Sequence, residues 1–189
     1  MDDDDRTTAI GLARYACEYI DAALVVDNEY AKNHPGDQIS PMPAYFLAYH
    51  GIELTLKAYL RKAGLTPPEL WSRKYGHDLH ACYDKAKELG LLNIFKETNE
   101  DLSAMHLLVG LNDRHGLRYI RIGMKQFPLW PIVDSLVVRL HQAVAPAVGY
   151  RPFQRRYAQA RSNDELPNDE SLAAQFETII LSLGGASKS

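Results

Sequence analysis

Three features of the sequence predict an all-α protein. Apolar side chains recur at alternating spacings of three and four over most of residues 6–148, the pattern of helices that bury one face. Helix starts and stops fall between those stretches, and strand signals are confined to one short segment. Joined in order, the stretches make an up-and-down bundle of four to five core helices over residues 6–148. A C-terminal appendage follows at 149–189, consisting of a basic segment, an acidic linker and an amphipathic helix.

The first helix is predicted from Arg6 to about Asn33, with Ile10, Ala13, Cys17, Ile20 and Leu24 as its stripe; His34-Pro35-Gly36 ends it. The second runs from about Pro43 to Ala63. Arg61 and Lys62 sit in its last turn and Gly64 follows, as the helix dipole and a left-handed stop favour. Tyr45, Tyr49, Ile52, Leu56, Tyr59 and Leu60 form one face, while Leu47 and Leu54 point elsewhere, so a central position in the bundle is expected. Asp78 is a suitable N-cap for a third helix carrying Leu79, Cys82, Ala86 and Leu89 and stopping at Gly90. Thr98-Asn99-Glu100-Asp101 resembles a capping box for a fourth, with Leu102, Met105, Val109 and Asn112 along it. Pro131 suits the first turn of a fifth, striped by Val133, Leu136, Val137, Leu140 and Val144. The last amphipathic segment is Ser171 to Leu183, and the one strand candidate is Leu117 to Ile122.

With 189 residues, 46% hydrophobic and 24% charged, the chain has the make-up of one globular domain with an appendage. A net charge of -3 argues against non-specific coating of nucleic acid, yet Arg114 to Lys125 and Arg151 to Arg161 hold only basic charges. Residues 2–5 are aspartates, the opposite of a signal-peptide start, and no apolar run approaches the roughly 20 residues of a membrane span. A cytoplasmic protein without a membrane partner is the expectation. Cys17 and Cys82 fall at apolar-periodic positions and read as packed, reduced thiols.

Glu53 lies inside the apolar stripe of the second helix, between the directions of Leu60 and Phe46. An unpaired carboxylate there would cost several kcal/mol or take up a proton, so Lys57, His77 or an arginine such as Arg118 must lie nearby. A buried polar network of Glu53, Lys57, Asp78 and Tyr119 is predicted.

Pro43, Ile52-Glu53-Leu54, Leu56-Lys57-Ala58-Tyr59-Leu60, the run Lys74 to Leu79, Leu111-Asn112 and Arg118-Tyr119 together resemble a HEPN domain, the higher eukaryote and prokaryote nucleotide-binding helical bundle. The resemblance covers roughly Arg6 to Val148. It implies an up-and-down bundle, a homodimer, RNA binding or RNA cleavage as the activity, and a protein partner of the antitoxin kind. Nuclease members carry an arginine followed, after about four to six residues, by a histidine. No histidine stands in that window after Arg114, Arg118 or Arg121, and Arg73 and His80 have that spacing at a different place, the start of the third helix.

RNA cleavage without a metal needs a base for the 2′-hydroxyl, an acid for the leaving oxygen and a cation for the phosphoryl charge. His77 and His80 are the candidate acid and base, and Arg73, Arg114 and Arg118 the candidate cations. The competing expectation is structural: Asp78 caps a helix, His77 bonds across to Glu53, and Lys57 completes a network that fixes the bundle. Arg114, Arg121 and Lys125 form a basic loop for phosphate. Arg151, Arg155, Arg156 and Tyr157 mix cations with aromatics as single-stranded RNA binding requires; alternatively Phe153 and Tyr157 anchor the appendage while the arginines pair with the acidic stretch behind them. No His-x-x-x-His, Cys-x-x-Cys, phosphate-binding glycine loop or Gly-x-Ser-x-Gly elbow occurs, so neither a metal nor a cofactor is expected. Asp27 and Glu29 read as helix-surface residues.

Overall fold

The computed structural model describes residues 7–113, 116–118 and 125–155. Six α-helices are found there: α1 (Ala9–Asn33), α2 (Met42–Lys62), α3 (Pro67–Trp71), α4 (Leu79–Glu88), α5 (Asn99–Asn112) and α6 (Trp130–Ala147). A single 3-10 turn, Leu91–Asn93, follows α4. No strand occurs among the described residues. Leu117 and Arg118 of the expected strand lie in a turn, whereas residues 119–122 of that segment and the amphipathic segment Ser171 to Leu183 fall outside the described residues.

The central element is α2, which contacts α1, α6, α4 and α3; its most extensive partner is α1. Its residues are buried around most of the circumference, including Tyr45, Ala48, Ile52, Leu56 and Leu60. The approach of α1 is close because α2 has no side chain at Gly51: a Cβ there would stand 2.7 Å from Ile20 Cγ1. At the other end Tyr45 donates its hydroxyl to Pro128 O at 2.7 Å and packs edge-on against Trp130, tying the start of α6 to α2. The predicted stripe of α6 is buried at every position, and Tyr150 N closes its end on Ala145 O at 2.8 Å.

Several boundaries and faces differ from those expected. Thr8 caps α1 through Gly11 N, so that helix begins at Ala9 rather than Arg6. Its buried face is Leu12, Ala13, Ala16, Ile20, Ala23, Leu24 and Asp27. Ile10 is therefore exposed and Cys17 half-buried, and Asp27 lies inside rather than on the surface. In α4 the helix stops at Glu88 and leaves Leu89 exposed. The buried residues of α5 are Asp101, Ala104, Met105, Leu108 and Leu111, while Leu102 is exposed. That helix is apolar around most of its girth, so spacing alone does not select the face. The element not anticipated is α3, built on a reciprocal cap between Thr66 and Glu69 with prolines in its first turn.

Candidate functional site

The face of α2 that carries Tyr49, His50, Glu53 and Lys57 meets the turn between α3 and α4. Lys57 Nζ donates to Glu53 Oε1 at 2.6 Å, and both side chains keep only 5% and 4% of their surface exposed. The imidazoles of His50 and His77 stand 3.6 Å from Oε2 and 3.9 Å from Oε1. Burial alone would raise the Glu53 carboxyl; His50 and Lys57 outweigh it and hold the group below the usual carboxylate range.

Lys57 has a second acceptor, Gly76 O at 2.7 Å. On either side of that carbonyl, Cys82 Sγ donates to Tyr75 O at 3.3 Å and the Tyr49 hydroxyl to His77 O at 3.0 Å. Three successive carbonyls of the turn are thus held from below by side chains of α2 and α4. Burial pushes both the Tyr49 hydroxyl and the Cys82 thiol up to about 12, so both remain donors at neutral pH. The turn itself is tight. Gly76 N reaches Ser72 O at 2.7 Å, and a Cβ on Gly76 would meet Ser72 O at 2.9 Å and Trp71 O at 3.1 Å. A backbone pinned in this way fixes where the side chains of residues 71–78 emerge.

Arg73, His77 and His80 all line one cleft of about 830 Å³ above this turn, with Trp71, Tyr49 and Asn112. Arg73 and His77 are exposed and His80 is half-buried, with its ring 5.8 Å from that of His106. Asn112 presents a buried Oδ1 without a hydrogen-bond partner. Arg118 is not in this cleft: it is exposed, its guanidinium lying 5.7 Å from the Phe46 ring centroid. Asp78 is corrected from buried network member to exposed cap, its Oδ1 accepting from Ala81 N at 2.9 Å, because the first turn of α4 leaves that amide without a helical acceptor.

Lys125 lines a neighbouring cleft of about 390 Å³ with His106 and Gln126; the two clefts share Gly110 and Asp113. Arg151 and Arg155 line a third, remote cleft of about 500 Å³. The Arg155 guanidinium is engaged there by both oxygens of buried Asp134, an ion pair to α6; the acidic stretch that follows in sequence lies outside the described residues. Burial raises the Asp134 carboxyl, and Arg155 opposes that shift. Phe153 is buried and its carbonyl accepts from Gln142, so residues 150–155 fold back onto α6. Arg114, Tyr119, Arg121, Arg156 and Tyr157 lie outside the described residues.

Three contributors escaped the sequence reading. His50, three residues before Glu53 on one helix, was accessible from spacing alone. His106 and Trp71 were not, since only the tertiary fold brings them beside residues 73–80. Among the described residues no three His, Cys, Asp or Glu side chains converge as metal ligands, and no helix is long and apolar enough to cross a membrane. No protein-family model matches the chain, and no curated protein or solved structure is significantly similar to it.

Proposed function

We propose that this chain is a HEPN-like, RNA-associated helical protein whose working surface is the cleft over residues 71–80. The observation that carries this is the gathering of Arg73, His77 and His80 in one cleft, above a turn whose carbonyls are fixed by Lys57, Tyr49 and Cys82. A guanidinium and two imidazoles are the groups that metal-free cleavage of an RNA phosphodiester requires. Pre-set backbone geometry is what such chemistry needs in order to act without reorganisation. A homodimer, an antitoxin-type partner and a cytoplasmic location belong to the same proposal and rest on the HEPN resemblance.

A second reading, a non-catalytic HEPN-like interaction module, is favoured by the absence of a histidine after about four to six intervening residues from Arg114, Arg118 or Arg121; His115 is directly adjacent to Arg114. One experiment separates the two. Unstructured RNA is incubated with the protein in excess chelator, comparing wild type with Arg73→Ala, His77→Ala, His80→Ala and Arg118→Ala at equal folded fraction. Cleavage lost in Arg73→Ala and in a histidine variant supports the nuclease. RNA binding that weakens steeply with salt but without cleavage supports the module, and neither binding nor cleavage removes RNA from the proposal.

A further inference from the structure

The cleft carries an aromatic side chain that the bundle does not use. Trp71, the last residue of α3, keeps 47% of its surface exposed, whereas Trp130, the other tryptophan, is 1% exposed. Among the described residues no ring stacks on Trp71 and no cation lies over it, and the guanidinium of Arg73, two residues on, has no ion-pair partner. A lone exposed tryptophan is ordinary. Here it shares a cleft with Arg73, His77 and His80, on a turn held rigid from beneath. The volume, about 830 Å³, lies in the range of about 300–1,000 Å³ that small-molecule sites occupy.

We propose that this cleft is a nucleotide subsite in which one unstacked base lies against Trp71 while its phosphate is held by Arg73 with His77 and His80. The proposal rests on the RNA reading above and narrows it to a single nucleotide. An indole supplies a sequence-tolerant platform for a base, and the Arg73 guanidinium with the two imidazoles supplies the phosphate contact that a base-only pocket would lack. Two carboxylates border the cleft. Asp78 caps α4 through Ala81 N, Asp113 is shared with the neighbouring cleft, and Arg73, His77 and His80 are the basic groups of the lining able to donate to an anion. A strand of RNA and a free mononucleotide both offer a base joined to a phosphate.

The test uses the full chain and three probes: a short unstructured fluorescent RNA, the same sugar-phosphate chain without bases, and AMP. Binding is followed by anisotropy and by tryptophan emission. RNA is expected to quench emission saturably, because Trp71 is accessible and Trp130 is not. Trp71→Ala should weaken RNA binding on the order of tenfold and leave binding of the abasic chain unchanged. Trp71→Phe keeps an aromatic platform, so it should retain most of the affinity while losing the quench; it also serves if the alanine variant folds poorly. Arg73→Ala should weaken RNA and abasic chain alike and flatten the salt dependence. AMP that quenches and displaces RNA identifies free nucleotide as an accepted source, and quenching by RNA alone identifies the strand. RNA bound without quenching, or as tightly by Trp71→Ala as by wild type, overturns the subsite and leaves the RNA reading standing. No RNA binding by wild type overturns both.

Discussion

Replacing Glu53 by Gln leaves the Lys57 ammonium in a place where only 5% of its side-chain surface is exposed, with Gly76 O and an amide oxygen as its remaining acceptors. An ion pair this deep gets little screening from solvent. Removing one partner of a buried pair costs about 3–5 kcal/mol because the other charge stays buried without compensation. The two surviving acceptors put Glu53→Gln at the lower end, about 3 kcal/mol, or roughly 6–12 °C in Tm for a chain of this size. Lys57→Met should cost about as much, since it leaves the buried Glu53 carboxylate with only the imidazoles of His50 and His77 beside it and also takes the donor from Gly76 O. The double variant Glu53→Gln/Lys57→Met removes both charges, and its main remaining penalty is the unpaired Gly76 carbonyl, about 1–3 kcal/mol. Urea unfolding of the four proteins at neutral pH measures the cycle. The double should therefore cost about 3–5 kcal/mol less than the two singles added together. A double that costs as much as that sum, or a single below about 1 kcal/mol as at an exposed pair, would refute the argument. The pH dependence gives a second check. The Glu53 carboxyl is depressed in the folded state, so its stabilisation is complete above the unfolded carboxyl value of about 4.3 and is lost as pH falls through the folded value. The gap between wild type and Glu53→Gln should accordingly narrow on acidification.

Gly51→Ala should destabilise by about 1–3 kcal/mol, since the added Cβ meets Ile20 Cγ1 at 2.7 Å, and thermal melts of Gly51→Ala with and without Ile20→Ala should show partial relief in the double. His141 is 0% exposed, with Nε2 2.9 Å from Ala13 O and Nδ1 unpartnered, and burial lowers its pKa. The unfolded chain therefore binds this proton first, so stability should fall as pH drops below about 6.5, and His141→Gln should show a shallower slope in urea unfolding between about pH 5 and 7. Arg155→Ala should cost stability, about 2 kcal/mol, because Asp134 is left buried and unpaired; this is less than the roughly 3–5 of a fully buried pair because Arg155 keeps 26% of its side-chain surface exposed. The salt dependence of the proposed RNA binding should stay unchanged, and an altered salt slope at constant stability would reverse that assignment.

Helices whose apolar residues occupy one side were legible in the sequence, as the buried stripe of α6 illustrates. In α5 the apolar residues surround the helix, and the exposed Leu102 could not be told from the buried Leu108 until α6 was placed beside it. The short α3 was not legible, because five residues are too few for periodicity to speak and its cap shows only once Thr66 and Glu69 are seen bonded to each other. At the site, Glu53 and Lys57 were readable as a pair because both sit on one helix four residues apart. The contacts of Lys57 with Gly76 O and of Tyr49 with His77 O were not, because backbone carbonyls carry no residue identity.

This last contrast bears on what the buried pair does. A carboxylate aligned with an apolar stripe suggests chemistry, but Glu53 is nearly inaccessible and its shortest contact is to an ammonium that continues to the turn. The pair costs desolvation that two apolar side chains would not incur. What apolar side chains cannot supply is a charged donor to Gly76 O, directly between the carbonyls that Cys82 and Tyr49 hold. Held at three successive carbonyls, the turn presents Arg73 and His77 in one arrangement. The phosphate contact proposed for this cleft, with a guanidinium and imidazoles together, would depend on that arrangement more than on any acid or base chemistry at Glu53 itself.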